Sequence, residues 1–372
     1  MTTTIACVVG ARPNFVKIGP VLRGVRAVLP EVQPLLVHTG QHYDREMSDL
    51  FFKELNLPHP DVCLKVGSGT HGEQTARILE RFEAWLLDAE PRPSATIVVG
   101  DVNSTVACAL ASAKLDVPVV HVEAGLRSFD RQMPEEINRV VTDALAGLLL
   151  VSEPSGVENL QREGHDQERI RLVGNVMIDV LRENLDAARA LGQPERSGLS
   201  PGEYVAVTLH RPGNVDDPET LRRFCDVLIR ISKRLPVVFP VHPRTRSRLE
   251  SADLLKDLDA ERDLHLSAPL GYHEFLGLWS QARLVITDSG GLQEETTALG
   301  IPCLTTRTRT DRPITVSQGT STLVGRDTAL LETLVDDVLS GHYKAGACPE
   351  LWDGRAGHRI AEELAKFIRH AN

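Results

Sequence analysis

Aromatic residues make up only 4% of the 372-residue chain, too few for a surface that reads nucleic acid by stacking on bases. Positive charge is also in short supply. The 41 Lys and Arg stand against 51 Asp and Glu, a formal net charge of −10. That balance disfavours nucleic acid and anionic membrane as main partners, because both want a basic face. Long apolar runs are missing: the longest, Ala144–Val151, falls far below the ~20 residues of a membrane helix. The opening MTTTIACVVGARP lacks a basic stretch, and its apolar run is too short for a signal peptide. The six cysteines, Cys7, Cys63, Cys108, Cys225, Cys303 and Cys348, contain no C-x-x-C pair. They read as reduced thiols, several in apolar elements, in a cytoplasmic protein. Histidine spacing gives no metal site.

Two nucleotide signatures are absent as well. No G-x-x-x-x-G-K-[ST] occurs, which excludes a P-loop. None of Tyr43, Tyr204, Tyr272 and Tyr343 has a lysine four residues on, the pair that nicotinamide-dependent short-chain enzymes carry. Gly67-Ser68-Gly69-Thr70-His71-Gly72 does match the dinucleotide-binding fingerprint. However, it is not the first strand–helix unit, and the preceding Asp61–Val66 is short and polar, so it is set aside. No cofactor and no metal are expected.

What the chain does have is alternation. Short apolar runs read as buried parallel strands at Ile5–Val9, Pro34–His38, Ala95–Val99, Val117–Val122 and Gly147–Val151. They resume at Tyr204–Leu209, Pro236–Val241, Arg283–Thr287 and Ile301–Thr305. Segments of helical period, such as Thr75–Leu87 and Leu221–Leu235, lie between them. Strand–helix–strand repeated in this way predicts an α/β protein with parallel sheets covered on both faces. Two series predict two doubly wound, Rossmann-like domains facing across a cleft. The Gly-, Pro- and Ser-containing stretch Leu191–Glu203 places the boundary between about 172 and 203. The amphipathic Ala356–Ile368 can pack on either domain. Ligands of such sheets bind beyond the carboxyl ends of the strands, so the strand ends are where chemistry is expected.

After Val9, Gly10 allows a sharp turn, Pro13 suits the first turn of a helix, and Arg12 and Lys17 supply charge for an anion. Asp101 follows the third strand, where an N-cap is the plain alternative. Glu123 ends an apolar strand, which is hard to explain as a solvated surface residue. Pro134-Glu135-Glu136 opens a helix whose first-turn acids also suit the dipole. His210 and His242 each follow a strand in the second half. Ser289-Gly290-Gly291 lies between strand and helix and can offer backbone N–H groups to a phosphate, with Glu295 one turn on. Carboxylates facing one another across a cleft repel, which raises their pKa toward the range useful for acid–base work. A diphosphate pinned by Arg12, Lys17 and the glycines would be a leaving group, so elimination or substitution at the carbon bearing it is the expected chemistry.

The chain resembles the non-hydrolysing UDP-N-acetylglucosamine 2-epimerases. GARPNFVKIGPV, GDVNSTVA, HVEAGLRS, PEEINR, VGNVMID, TLHRPGN, PVHPR, TDSGGLQEET and DRP recur there in this order, over nearly the whole chain. The resemblance implies a GT-B-like fold, with an N-terminal domain 1–173 onto which the helix 354–372 crosses back, and a UDP-binding domain 174–353. It implies a homodimer without metal or nicotinamide that interconverts UDP-GlcNAc and UDP-ManNAc. A base would remove the C2 proton as UDP leaves C1; UDP would then add back to the 2-acetamidoglucal, with reprotonation on the other face. Asp101, Glu123, Glu135 and His210 match the family's catalytic positions. Arg12, Phe275, Ser289, Gly290, Gly291, Glu295 and Arg312 match its UDP-binding positions, and Lys17 and His242 complete the expected substrate set.

Four positions depart from the family pattern. Asn14 and Ile314 stand where many members have Glu, a Glu is also missing near Gly213, and Leu270 replaces a Gln-type uracil contact. They suggest a subfamily acting on a modified UDP-sugar. Gln41, His42, Arg211 and His242 match part of a second, activating UDP-GlcNAc site, but a basic residue near Gly69 is lacking, so activation is not expected. Three other readings compete with this one. A GT-B glycosyltransferase needs only one base. A hydrolysing 2-epimerase would let water trap the glucal. A catalytically dead UDP-sugar sensor could lose Asp101 or Glu123, and both are present.

Overall fold

A computed structural model describes residues 3–40 and 57–371, apart from the side chains of Arg12, Pro13, His370 and Ala371. The chain divides into two compact units, Met1–Val180 with Glu350–Asn372, and Leu181–Pro349. The division falls inside the helix Val176–Ala190, rather than at 173 or in the loop-like stretch after it. Leu191–Glu203 holds a short helix, Gln193–Arg196, and buries Leu199.

The first unit carries a parallel sheet of strands β1 (Thr3–Val9), β2 (Val32–His38), β3 (Val62–Cys63), β4 (Thr96–Val99), β5 (Val119–Ala124), β6 (Leu148–Val151) and β7 (Ile170–Leu172). Their order is 3-2-1-4-5-6-7. The second carries β8 (Val205–Thr208), β9 (Val237–Pro240), β10 (Leu264–Ser267), β11 (Leu284–Thr287), β12 (Cys303–Thr305) and β13 (Ser321–Leu323), in the order 10-9-8-11-12-13. Every pairing is parallel. Central strands such as β5 and β11 are buried along their whole length. Of these, β11 (LVIT) reads as a nearly unbroken apolar run, whereas β5 (VVHVEA) buries His121 and Glu123 among its apolar residues.

In each sheet the winding direction reverses once, between β1 and β4 and between β8 and β11. Such switch points are where loops part and leave room for a ligand. They place the exits of β1 and β4 together in one unit, and those of β8 and β11 together in the other.

The C-terminal helix Ala356–Ala371 belongs to the first unit and packs on the helix Arg12–Val28. Close approach depends on two glycines. A Cβ on Gly24 would lie 2.1 Å from the Gly357 carbonyl oxygen, and one on Gly357 would lie 2.4 Å from that of Pro20. Asp179 caps this helix from outside, accepting the N–H groups of Ala356 and Gly357 at 3.0 and 2.7 Å. Its carboxylate thus satisfies donors that a helix start leaves without partners.

Candidate active site

In the first unit the site is built on the exits of β1, β4 and β5. Gly10 ends β1 where any side chain would collide with Ser104, whose Oγ would lie 1.9 Å from an added Cβ. Asn14 then ties two exits together. Its Oδ1 accepts the N–H of Ala11 at 3.2 Å, and its Nδ2 donates to the Val99 carbonyl at 2.7 Å. The family's Glu could accept the first bond but could not donate the second, so Asn14 serves as a buried brace here.

Lys17, expected at an anion, is buried and paired with Glu123 Oε2. Glu123 is itself buried, and its Oε1 has no hydrogen-bond partner among the described residues. Its backbone is left-handed, with φ +70°, at the point where the β5–β6 register shifts between Val122 and Ala124. Left-handed backbone at a non-glycine residue costs about 1–3 kcal/mol. The pair lies over the β4 exit. A Cβ built on Gly100 would stand 3.2 Å from Lys17 Nζ and 3.3 Å from Glu123 Oε2. Glu123 therefore meets an ammonium group, where the sequence had suggested a facing carboxylate.

Asp101 follows Gly100, but Val102 rather than Asp101 takes the N-cap position of the helix Asn103–Lys114. Its carbonyl accepts Asn138 Nδ2 at 2.8 Å, and its half-buried carboxylate meets Arg139 Nη1 at 3.4 Å. Both partners lie on the helix Pro134–Leu145, which carries Glu135 in its first turn. The two glutamates there divide the work. Glu136 is buried and accepts the N–H groups of Ser128 and Phe129 at 2.9 and 3.0 Å, whereas Glu135 is half-buried and makes no such bond among the described residues. Arg12 heads its helix, but its side chain lies outside the described residues, as do Gln41 and His42.

In the second unit, β8 delivers His210 beside Asp288 at the end of β11. His210 Nδ1 stands 2.8 Å from Asp288 Oδ1. The same carboxylate accepts the N–H groups of His210 and Arg211 at 2.9 Å each and Asn214 Nδ2 at 3.0 Å. Burial alone would raise the Asp288 pKa, but His210 and these amides outweigh it and hold it below the usual carboxylate value. An ionised Asp288 fixes the proton on Nδ1, so Nε2 of the half-exposed His210 is the nitrogen left for acid–base work. The His242 ring centroid is 5.6 Å from that of His210. Burial and the His210 charge lower the His242 pKa against the pull of Asp288.

Ser289 precedes the helix Gly290–Leu299, whose first two residues are glycines with no side chain of their own. Two guanidinium groups stand above. Nη1 of Arg312 and of Arg307 would lie 3.5 and 3.6 Å from a Cβ on Gly290. Arg312 Nε meets Glu294 Oε1 at 2.9 Å, and Arg307 shares Asp311 with Arg312. Burial, then repulsion from Arg211, lowers the Arg307 pKa, as expected where cations outnumber nearby anions. Glu295 is buried one turn on, its pKa pushed up to about 8 by burial and by Glu294. Phe275, on the helix Tyr272–Trp279, is half-buried and keeps part of its ring accessible.

Sequence reasoning missed three features. Asp288 was visible only as the residue before Ser-Gly-Gly. Arg307 lay five residues before Arg312 in a run of alternating bases. The Lys17–Glu123 pair joins residues 106 positions apart. Among the described residues, no group of three or more His, Cys, Asp and Glu could hold a metal ion, and no helix is long and apolar enough to cross a membrane.

The chain matches the family model described as UDP-N-acetylglucosamine 2-epimerase over residues 27–365. It is 39% identical to the UDP-N-acetylglucosamine 2-epimerase of Methanocaldococcus jannaschii over 97% of this chain and 98% of that one. It is equally 39% identical to the UDP-2,3-diacetamido-2,3-dideoxy-D-glucuronate 2-epimerase of Pseudomonas aeruginosa, over 98% and 99% of the two chains. The crystal structure of the M. jannaschii enzyme in complex with UDP-GlcNAc and UDP superimposes with a TM-score of 0.85 at 38% identity, covering 98% of this chain and 100% of that one. A Neisseria meningitidis UDP-GlcNAc 2-epimerase bound to UDP-GlcNAc gives 0.86 at 27% identity, with 98% and 100% covered. Motifs, parallel sheets and overall likeness agree, and the chain belongs to the UDP-N-acetylglucosamine 2-epimerase family.

Proposed function

We propose that this protein inverts C2 of UDP-N-acetylglucosamine, giving UDP-N-acetylmannosamine reversibly, by eliminating UDP and adding it back. The observation that carries the reading is Glu123: a buried carboxylate on a strained bulge, one oxygen held by Lys17 and the other without a hydrogen-bond partner among the described residues. A fixed, desolvated carboxylate with a free oxygen suits removal of a weakly acidic C–H proton. That proton moves to a carboxylate, the C1–O bond breaks to UDP, and a C1–C2 double bond forms. Early C1–O cleavage builds positive charge on the ring, which anionic Asp101 and Glu123 stabilise. Re-addition of UDP with protonation on the opposite face closes the cycle.

The nucleotide falls to the second unit. The N–H groups at Ser289–Gly291 and the guanidinium groups of Arg307 and Arg312 suit the diphosphate. Phe275 suits the uracil, and a neutral Glu295, both donor and acceptor, suits the ribose diol. His210, its Nδ1 held by Asp288, offers Nε2 as an acid or base. Family resemblance further supports a cytoplasmic homodimer.

A second reading changes only the sugar. Leu270 and Ile314 depart from the family pattern, and a relative of equal identity acts on a diacetamido-glucuronate. Purified protein given UDP-GlcNAc and the UDP-diacetamido-glucuronate in parallel, with products separated by anion exchange, distinguishes them. UDP-ManNAc from the first supports the proposal. Turnover of the second alone reassigns the substrate, and free UDP with ManNAc as main products points to a hydrolysing enzyme.

A further inference from the structure

Behind the first unit's carboxylates runs a buried chain of charge that the proposed reaction does not touch. His121 lies on β5 two residues before Glu123, and its side chain and that of Asp143 are fully buried. His121 Nδ1 is 2.6 Å from Asp143 Oδ1, and Nε2 is 2.9 Å from the Gly100 carbonyl oxygen. The second oxygen of Asp143 takes the Arg127 guanidinium at 2.7 Å and the Gly125 N–H at 3.1 Å. Arg127 forks onward to Glu163 at 2.8 and 2.6 Å.

A carbonyl can only accept, so Nε2 carries hydrogen. A carboxylate receiving a guanidinium and an amide is ionised, so Nδ1 donates too. His121 is thus a buried imidazolium. Its charge and that of Arg127 are balanced by Asp143 and Glu163, the condition under which charge survives burial. The groups facing it are Asp143 from the helix Pro134–Leu145, the Gly100 carbonyl from the β4 exit, and Arg127 beyond Asp143.

The assembly grips both turns that present acids. Gly100, at φ +67°, immediately precedes Asp101; Glu123 and Gly125, at φ +70° and +79°, form the bulge. Asp143 holds the chain before the bulge through His121 and after it through Gly125. His121 reaches across to the other turn. Left-handed backbone at a non-glycine residue persists only where its surroundings over-determine it. We infer that His121 and Asp143 are positioning residues, an ion pair that locks Asp101 and Glu123 into their working orientation. The kinetic part of this inference rests on the epimerase reading above.

The test compares wild type with Asp143→Asn and His121→Gln. Selective 15N labelling of histidine should show both His121 ring nitrogens carrying hydrogen in the folded wild type, a readout that needs no variant and no activity. Both variants should lose kcat by about 100-fold or more, the cost of a roughly 1 Å misplacement, while KM and the Kd for UDP stay within about threefold. A neutral His121 at pH 7, a variant with wild-type kcat, or a loss falling equally on UDP affinity overturns the inference. A wild type that epimerises no UDP-sugar overturns the functional reading instead and leaves the 15N result to decide the ion pair.

Discussion

Glu295 offers a quantitative check on the nucleotide niche. Burial and the neighbouring Glu294 raise its pKa from 4.5 to about 8, so in the folded protein it is neutral at pH 7. In the unfolded chain it ionises near 4.5. Between these values the unfolded state binds fewer protons, and stability falls as pH rises, by about 1.4 kcal/mol per pH unit. The contribution is fully present below about pH 4.5 and fully lost above about pH 8, a total of up to about 5 kcal/mol. Glu295→Gln keeps the shape and cannot ionise. Urea unfolding of wild type and variant should give similar stabilities near pH 5. The variant should become the more stable by several kcal/mol near pH 9. A difference between the two that stays constant within about 0.5 kcal/mol across this range would show that Glu295 ionises normally, and would remove the argument for a neutral donor at the ribose.

Asp288→Asn should leave the Kd for UDP within about threefold while lowering kcat by at least about 100-fold, because the proton on His210 Nδ1 loses its fixed acceptor; titration calorimetry with steady-state rates separates the two. Arg307→Ala should weaken UDP binding by about 10- to 100-fold, the worth of a charge-assisted bond of about 1.5–3 kcal/mol, and Arg307→Lys should recover only part of it because the fork is lost. Unchanged affinity in Arg307→Ala would remove it from the diphosphate. Gly24→Ala should destabilise the first unit by about 1–3 kcal/mol, since its methyl group meets the Gly357 backbone, which thermal unfolding would register.

The centre of each sheet was legible in the sequence and the edges were not. β3, β7, β10 and β13 went unread, and all four are edge strands. An edge strand is partly exposed, so IRL at Ile170–Leu172 or LHLS at Leu264–Ser267 shows no apolar run. The domain break was expected between about 172 and 203, and the division after Val180 falls in that window; the Gly- and Pro-containing Leu191–Glu203 itself folds into the second unit, where the adjoining Tyr204 donates to the Leu278 carbonyl. His210 and Ser289–Gly291 could be read because they follow strands directly. Lys17, Asp143 and His121 could not. Their partners are distant in sequence, and a histidine in mid-strand looks like any other core residue until the carboxylate beside it is seen.

The account centres on Glu123 exchanging a proton at C2. The most direct measurement is incubation of UDP-GlcNAc with wild type and Glu123→Gln in D2O, followed by NMR and mass spectrometry. Wild type should place deuterium at C2 of both epimers, and Glu123→Gln should abolish incorporation while keeping UDP affinity within about threefold. Epimerisation without deuterium at C2, or undiminished exchange in Glu123→Gln, would contradict it.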